Sequence, residues 1–267
     1  MKHAKLKAFR NQVIVITGAG SGLGLELAKE LAPVIEGLIL LDIHPMSPEE
    51  QSKNFGEFCS KVWWRTVDVR DWPAMQGVAQ EHPFKRVDRV VANAGKGGLN
   101  PAHVFDPVTD MTIMSVNYFG TVNAFTAFLP QIMRQKAGHF VGICSLAALR
   151  GLPNGASYSA SKAAQLNLLE SWRLDLKPFG IHVTSVLPGF IRTAMANHDE
   201  FSMPFMLDPR DCAIQILNAM ADQRRVVIMP RLMGWLSRLN RVLPVWLYDI
   251  LLPLLNGKKI KTEAKVF

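Results

Sequence analysis

The stretch Val13-Ile14-Val15-Ile16-Thr17-Gly18-Ala19-Gly20-Ser21-Gly22-Leu23-Gly24, continued by Leu25-Glu26-Leu27-Ala28-Lys29-Glu30-Leu31, decides how the rest of the chain is read. The β-branched apolar run fits a buried strand, the glycines fit a tight turn, and the apolar spacing that follows is helical. Strand, glycine turn and helix in that order form the context that a dinucleotide-binding fingerprint requires. Gly18 can make the sharp turn, Gly22 lets the backbone approach a pyrophosphate with no Cβ in the way, and Gly24 lets the helix lie close on the strand. Ser21 and Leu23 flank Gly22 where the helix N-terminus offers its N–H groups to an anion. The spacing is Gly-x-x-x-Gly-x-Gly, one residue longer in its first gap than the common fingerprint.

Eighteen residues after Gly24 the apolar run Gly37-Leu38-Ile39-Leu40-Leu41 ends in Asp42. A carboxylate at the end of a second strand can accept both hydroxyls of an adenosine ribose and repels a 2′-phosphate, which favours NAD over NADP. The plainer reading of Asp42 is a cap on the next turn. Further along, Tyr158 and Lys162 lie four residues apart in Ser157-Tyr158-Ser159-Ala160-Ser161-Lys162 and share one face of a helix. A cation held beside a phenol pulls its pKa down from about 10 towards working pH, so the pair is suited to moving a proton.

These residues recur in a wider ordered set: Thr17-Gly18-x-x-x-Gly22-x-Gly24, Asp68-Val69, Asn93-Ala94-Gly95, Asn117, Ser145, Tyr158-x-x-x-Lys162 and Pro188-Gly189-x-x-x-Thr193. On them the chain resembles the short-chain dehydrogenase/reductase family from about Asn11 to Pro230. The resemblance implies a Rossmann-type doubly wound parallel sheet with helices on both faces, an NAD(P)-dependent oxidoreductase, and NAD as the favoured cofactor on the strength of Asp42. It implies that Tyr158 exchanges a proton with an alcohol or carbonyl oxygen, that Lys162 lowers the tyrosine's pKa and holds ribose hydroxyls, and that Ser145 hydrogen-bonds the reacting oxygen. By the same likeness Asn117 holds a water linking Lys162 to solvent, Asn93, Ala94 and Gly95 floor the cofactor cleft, and Asp68 and Val69 contact the adenine. Pro188, Gly189, Ile191 and Thr193 complete the cofactor contacts, with Thr193 on the carboxamide or phosphates. Each has a blander alternative: Asn93 as a turn residue, Asp68 as a helix cap, Ser145 as a strand-end hydroxyl.

At 267 residues and 49% hydrophobic the chain can bury a large core, and no repeat, low-complexity block or linker divides it, so a single domain over 1–267 is expected. Strands are expected near 13–17, 37–42, 62–67, 87–92, 138–144, 181–187 and 226–229, with helical segments near 22–33, 71–80, 107–135, 156–178 and 208–222. Such alternation implies a parallel sheet covered on both faces. Cys59, Cys144 and Cys212 are too few and too scattered for a disulfide framework or a metal site. The basic start Met1-Lys2-His3-Ala4-Lys5-Leu6-Lys7 is followed by no apolar signal core, so a cytoplasmic location is expected.

Charge is unevenly spread. Of the net +8, residues 224–267 carry +7 and residues 2–10 another +4, which leaves 11–223 at about −3. A basic surface on the body or a reader motif, as nucleic-acid binding requires, is not apparent. Residues 231–267 form a basic amphipathic extension: Leu232, Trp235, Leu236, Leu239, Val242, Leu243, Trp246, Leu247, Ile250 and Leu251 fall at helical spacing with Arg231, Arg238 and Arg241 among them. Such an extension packs on its own domain or a neighbouring subunit, or lies in a membrane interface through 231–261 as a peripheral contact. It cannot easily span a bilayer, because the apolar stretch Val242–Leu255 is fourteen residues long and holds Pro244, Asp249 and Pro253. The family likeness implies a homodimer or homotetramer built on the long helices near 107–135 and 156–178. The loop from Phe190 to Met206 is rich in Met and Phe, which suits an adaptable lipophilic pocket for an alcohol or ketone, or a lid packed on a core. Arg150 and Arg192 could each receive one carboxylate.

Overall fold

A computed structural model describes residues 5–193 and 206–255. Seven strands, β1 (Val13–Thr17), β2 (Gly37–Asp42), β3 (Val62–Thr66), β4 (Arg89–Ala92), β5 (Gly138–Ile143), β6 (Ile181–Pro188) and β7 (Val226–Met229), pair in parallel in the order β3-β2-β1-β4-β5-β6-β7. The inner strands read as nearly continuous apolar runs because helices cover both sides. Along β1 the pleat divides the side chains: Ile14 and Ile16 join one core with Leu27, Leu31, Ile216 and Leu217, while Val13 and Val15 join the other with Phe125, Phe128, Phe140 and Leu169. Helices α1 (Gly22–Leu31) and α7 (Pro209–Ala221) therefore cover the first face. Helices α3 (Trp72–Glu81), α5 (Gly120–Gln135) and α6 (Ala156–Leu176) cover the second. The expected doubly wound parallel sheet is the one observed, and the seven expected strands lie within two residues of those found.

The chain runs outward from β1 to β2 and β3, then returns across β1 to β4 and continues the other way. That reversal opens a crevice at the C-terminal ends of β1 and β4, where ligands bind in open α/β sheets.

Three local features depart from expectation. A helix absent from the sequence reading, α2 (Pro48–Phe55), follows β2. Its weakly apolar sequence hid it, yet Ser47-Pro48-Glu49-Glu50 carries a full capping box: Ser47 Oγ accepts from Glu50 N at 3.2 Å and the Glu50 carboxylate accepts from Ser47 N at 2.8 Å. The single helix expected over 107–135 is α4 (Pro107–Met114) and α5 joined through a π-helical turn at Ser115–Phe119, which carries Asn117. The helical spacing read over 231–255 resolves into α8 (Arg231–Val242) and α9 (Val245–Leu255), separated at Leu243-Pro244 because proline cannot donate into a continuing helix. Among the described residues no helix is long and apolar enough to cross a membrane.

Candidate active site

At the end of β1 the backbone turns with Gly18 at φ +63° and Gly22 at φ +52°, conformations that favour glycine. Two close approaches then fix the turn. A Cβ on Gly18 would lie 2.8 Å from Ala94 Cα, and one on Gly24 would lie 2.1 Å from the Gly18 carbonyl oxygen and 2.6 Å from Asn93 Nδ2. Asn93 closes the floor, donating from Nδ2 to the carbonyls of Thr17 and Gly18, each at 3.0 Å. Thr17 Oγ1 accepts in return from Asn93 N at 3.1 Å and Ala94 N at 3.0 Å. Ser21 is the N-cap of α1 but makes no capping bond with its side chain. Leu23 is buried in the first core. The turn therefore presents backbone, a hydroxyl and a helix N-terminus, with no Cβ over Gly18 or Gly22, and it fits a dinucleotide pyrophosphate.

Asp42 stands beside this turn. Its Oδ2 accepts from Gly20 N at 2.8 Å and its Oδ1 from His44 N at 3.0 Å. The carboxylate thus both ties the glycine turn to the end of β2 and caps the following turn. Each oxygen keeps a second lone pair, as a ribose contact needs. Asp68 meets Arg70 through a 2.5 Å ion pair, and that guanidinium holds its carboxyl below the usual range. The cap of α3 is Asp71, not Asp68. Val69 is buried against the second core, and Asn123 Nδ2 donates to its carbonyl at 2.8 Å.

The reacting end forms where β5 runs out. Ser145 follows the strand and its Oγ accepts from Ala147 N at 3.1 Å, close enough to the Tyr158 phenol to act on its titration. The first turns of α6 bring Tyr158 and Lys162 under it. Burial pushes the Tyr158 phenol above its ordinary value, and the neighbouring Ser145 hydroxyl pulls the other way. This differs from the expectation that Lys162 lowers it. The ammonium lies 5.9 Å from the ring centroid and donates instead to the Ile143 carbonyl at 2.8 Å and to Gln165 Oε1 at 3.0 Å. Burial in turn pulls Lys162 down to about 8.

Asn117 is fully buried. Its Oδ1 accepts from Lys96 N at 2.7 Å, and its Nδ2 donates to Lys96 O at 3.0 Å and Ser161 Oγ at 2.9 Å. Its main-chain carbonyl accepts from Thr121 Oγ1 at 2.8 Å. Gly95 separates the two groups: a Cβ there would sit 3.2 Å from Asn117 Oδ1 and 3.6 Å from Lys162 Nζ. Pro188 ends β6, and Gly189 N donates to Met229 O at 2.7 Å. Ile191 pairs with Leu207 in an isolated bridge, and Thr193 Cγ2 lies 2.9 Å from where a Gly22 Cβ would stand, which sets Thr193 over the glycine turn. Of the apolar loop expected to cover the substrate, 194–205 lie outside the described residues, as do Lys258, Lys259, Lys261 and Lys265. The Arg150 guanidinium stacks 3.8 Å over the Tyr248 ring and donates to Leu243 O at 3.1 Å.

The sequence reading passed over Gln165 and Thr121. The signal was available, since Gln165 is seven residues beyond Tyr158 and three beyond Lys162, on the same helix face. Among the described residues no cluster of His, Cys, Asp or Glu could hold a metal ion.

A glycine turn at a sheet reversal, with Ser145, Tyr158 and Lys162 converging beside it, defines an oxidoreductase of the dinucleotide-binding α/β class. The family model described as short chain dehydrogenase matches residues 12–202. The chain belongs to the short-chain dehydrogenase family, whose members act on CH–OH groups, and it is an NAD(P)-dependent oxidoreductase. An uncharacterized oxidoreductase of Myxococcus xanthus is 32% identical over 239 residues, which cover 88% of this chain and 94% of that protein. The human 17-beta-hydroxysteroid dehydrogenase type 1 is 31% identical over 205 residues, 74% of this chain and 62% of the human one. A short chain dehydrogenase from Burkholderia cenocepacia, solved in complex with NADP, superposes with a TM-score of 0.78 at 27% identity over 91% of this chain and 98% of its own.

Gly24→Ala places a methyl against the Gly18 carbonyl and the Asn93 amide, and the turn must move to admit it. The expected result is a loss of about 1–3 kcal/mol in stability and at least about tenfold weaker NADH binding, read by thermal unfolding and calorimetry.

Proposed function

We propose that the protein is an NAD-dependent oxidoreductase that interconverts a secondary alcohol and a ketone, or an alcohol and an aldehyde, on a lipophilic small molecule. The observation that carries this reading is the convergence of Ser145 at the end of β5 with Tyr158 and the buried Lys162 of α6, at the crevice flanked by the glycine turn. When bound, the nicotinamide supplies or accepts the hydride. Tyr158 gives its phenolic proton to the carbonyl oxygen in reduction and takes one from the alcohol in oxidation. Ser145 orients the phenol and stabilises charge growing on the reacting oxygen. Lys162 holds ribose hydroxyls, and Asn117, fixed in the π turn, supports the α6 side of the site.

Tyr158→Phe should cut turnover by roughly 10²–10⁴-fold while NADH affinity stays within about twofold, because only the proton-carrying oxygen is removed. A screen of hydrophobic alcohols and ketones followed by NADH absorbance supplies the assay. A Phe variant that kept more than about a tenth of the rate would mean that another group moves the proton.

Asp42 supports the preference for NAD, since its carboxylate stands at the end of β2 beside the glycine turn, where it would accept ribose hydroxyls and repel a 2′-phosphate. Calorimetry on the unaltered protein should give tighter binding of NADH than of NADPH, and the reverse order would sink the assignment. The lipophilic substrate class rests on the apolar Phe190–Met206 loop and on likeness to a hydroxysteroid dehydrogenase.

The C-terminal helices support a peripheral membrane contact for the same enzyme. Leu232, Leu236, Leu239 and Val242 of α8 are exposed, as are Val245, Trp246 and Ile250 of α9, within a segment of net charge +7. Val108, Met111 and Phe119 are exposed along α4 and the π turn, which supports a homodimer or homotetramer through those helices. Flotation with anionic vesicles should carry the unaltered protein upward and weaken as salt rises, and Leu236→Glu with Val242→Glu should abolish it. If those substitutions instead change the mass seen by light scattering, α8 packs against another subunit.

A further inference from the structure

The Lys162 ammonium sits at the end of a hydrogen-bond chain whose direction is fixed by its far terminus. The Asn117 carbonyl can only accept, so Thr121 Oγ1, at 2.8 Å, must donate to it. Having spent its proton, that hydroxyl accepts from Gln165 Nε2 at 2.8 Å. The Gln165 amide is thereby oriented with its oxygen towards Lys162, 3.0 Å from Nζ. Gln165, Thr121 and Asn117 are each at most 1% exposed, so none of these bonds is shared with bulk water. The second acceptor at Nζ, the Ile143 carbonyl, is also neutral. Two of the three ammonium protons are therefore committed to fixed dipoles on two different elements, and the third is left for the reacting side.

We propose that Gln165 is a positioning residue that holds the Lys162 ammonium charged and aimed beside Tyr158 through a neutral acceptor whose orientation Thr121 and Asn117 dictate. This rests on the reading that Lys162 works with Tyr158. The arrangement answers a physical problem. A buried ammonium loses its hydration, and here burial already draws Lys162 down to about 8. A carboxylate at position 165 would hold the charge more firmly but would form an ion pair, drawing the ammonium away from the phenol and the ribose. An amide oxygen stabilises the charge without capturing it. The ionisable groups facing Nζ are Tyr158 on its own helix and Cys144 beyond β5, a thiol that burial pushes up to about 12 and therefore keeps neutral. From the π turn and α5 come the neutral Asn117 and Thr121.

The test is the titration of Lys162 by heteronuclear NMR in the full chain, its signal assigned by its loss in Lys162→Arg, with NADH affinity measured by calorimetry between pH 6.5 and 9. Gln165→Leu should lower the Lys162 titration by roughly one pH unit, and Gln165→Glu should raise it by a similar amount. Thr121→Val, which keeps the shape but frees the amide to turn, should move it in the same direction as Leu, while Thr121→Ser should leave it unchanged. In step with this, Gln165→Leu should bind NADH several-fold more weakly near pH 8.5, with the difference closing towards pH 6.5. A merely structural role for Gln165 predicts no opposite shifts for Leu and Glu, so a titration that moves the same way in both, or in neither, overturns the proposal. Should Gln165→Leu fail to fold, Thr121→Val against Thr121→Ser decides alone, and equal titrations in those two overturn it. These readouts do not depend on turnover. An active Tyr158→Phe variant would refute the catalytic reading while the titration still reported on Gln165.

Discussion

The site hangs on a clamp between two neighbouring strands. Four hydrogen bonds join Thr17-Gly18 at the end of β1 to Asn93-Ala94 just beyond β4: the threonine hydroxyl accepts from Asn93 N and Ala94 N, and the asparagine amide donates to the carbonyls of Thr17 and Gly18. These strands are the ones between which the winding of the sheet reverses, and a reversal leaves a gap that no crossover helix covers. Buried polar groups at such a gap need partners, because an unpaired amide or carbonyl there costs about 1–3 kcal/mol. The clamp supplies them and at the same time fixes the glycine turn, since the Gly18 carbonyl and the Asn93 amide are the atoms that exclude a side chain at position 24.

From that edge the reacting groups follow by register. Parallel pairing of β4 with β5 brings Ala92 beside Gly142, so the residues just past each strand, Asn93 to Gly95 and Cys144 to Ser145, reach the same rim. Helix α6 then crosses below with Tyr158 and Lys162 on its inner face. The π turn before α5 inserts the extra residue that lets Asn117 bond both Lys96 and Ser161. Burial shapes the chemistry of the pair. It raises the phenol and lowers the ammonium, and the ammonium's partners are the dipoles of the Ile143 carbonyl and the Gln165 amide.

The C-terminal helices join the site through the loop between Ser145 and Tyr158. Arg150 stacks on Tyr248 and bonds the Leu243 carbonyl, while the Tyr248 hydroxyl donates to the Gly151 carbonyl at 2.5 Å. Met233 Sδ lies 3.4 Å from where a Cβ on Gly189 would stand, next to the segment that carries Ile191 and Thr193. The pair α8 and α9 thus adjoins the two loops that border the cleft, while leucines of α8 face outward. An extension that reads in sequence as an appendage is, in the fold, part of the rim.

The sequence alone determined the sheet and the glycine turn, because these depend on local patterns, β-branched runs and glycines where φ is positive; Ser145, Tyr158 and Lys162 were singled out through the family resemblance. It also contained a signal that went unread, the capping box at Ser47 and Glu50 that starts α2. What local pattern cannot carry is the partner of a polar atom drawn from a distant segment. That Lys162 meets Ile143 and Gln165, that Thr121, 44 residues away from Gln165, sets the direction of its amide, and that Asp42 bonds Gly20 across 22 residues are consequences of the packing of α5 and α6 on the sheet and of the strand order. The expected lowering of the Tyr158 phenol failed for the same reason: spacing along a helix brings a cation near, but burial and the competing acceptors around it are set only when the tertiary structure closes.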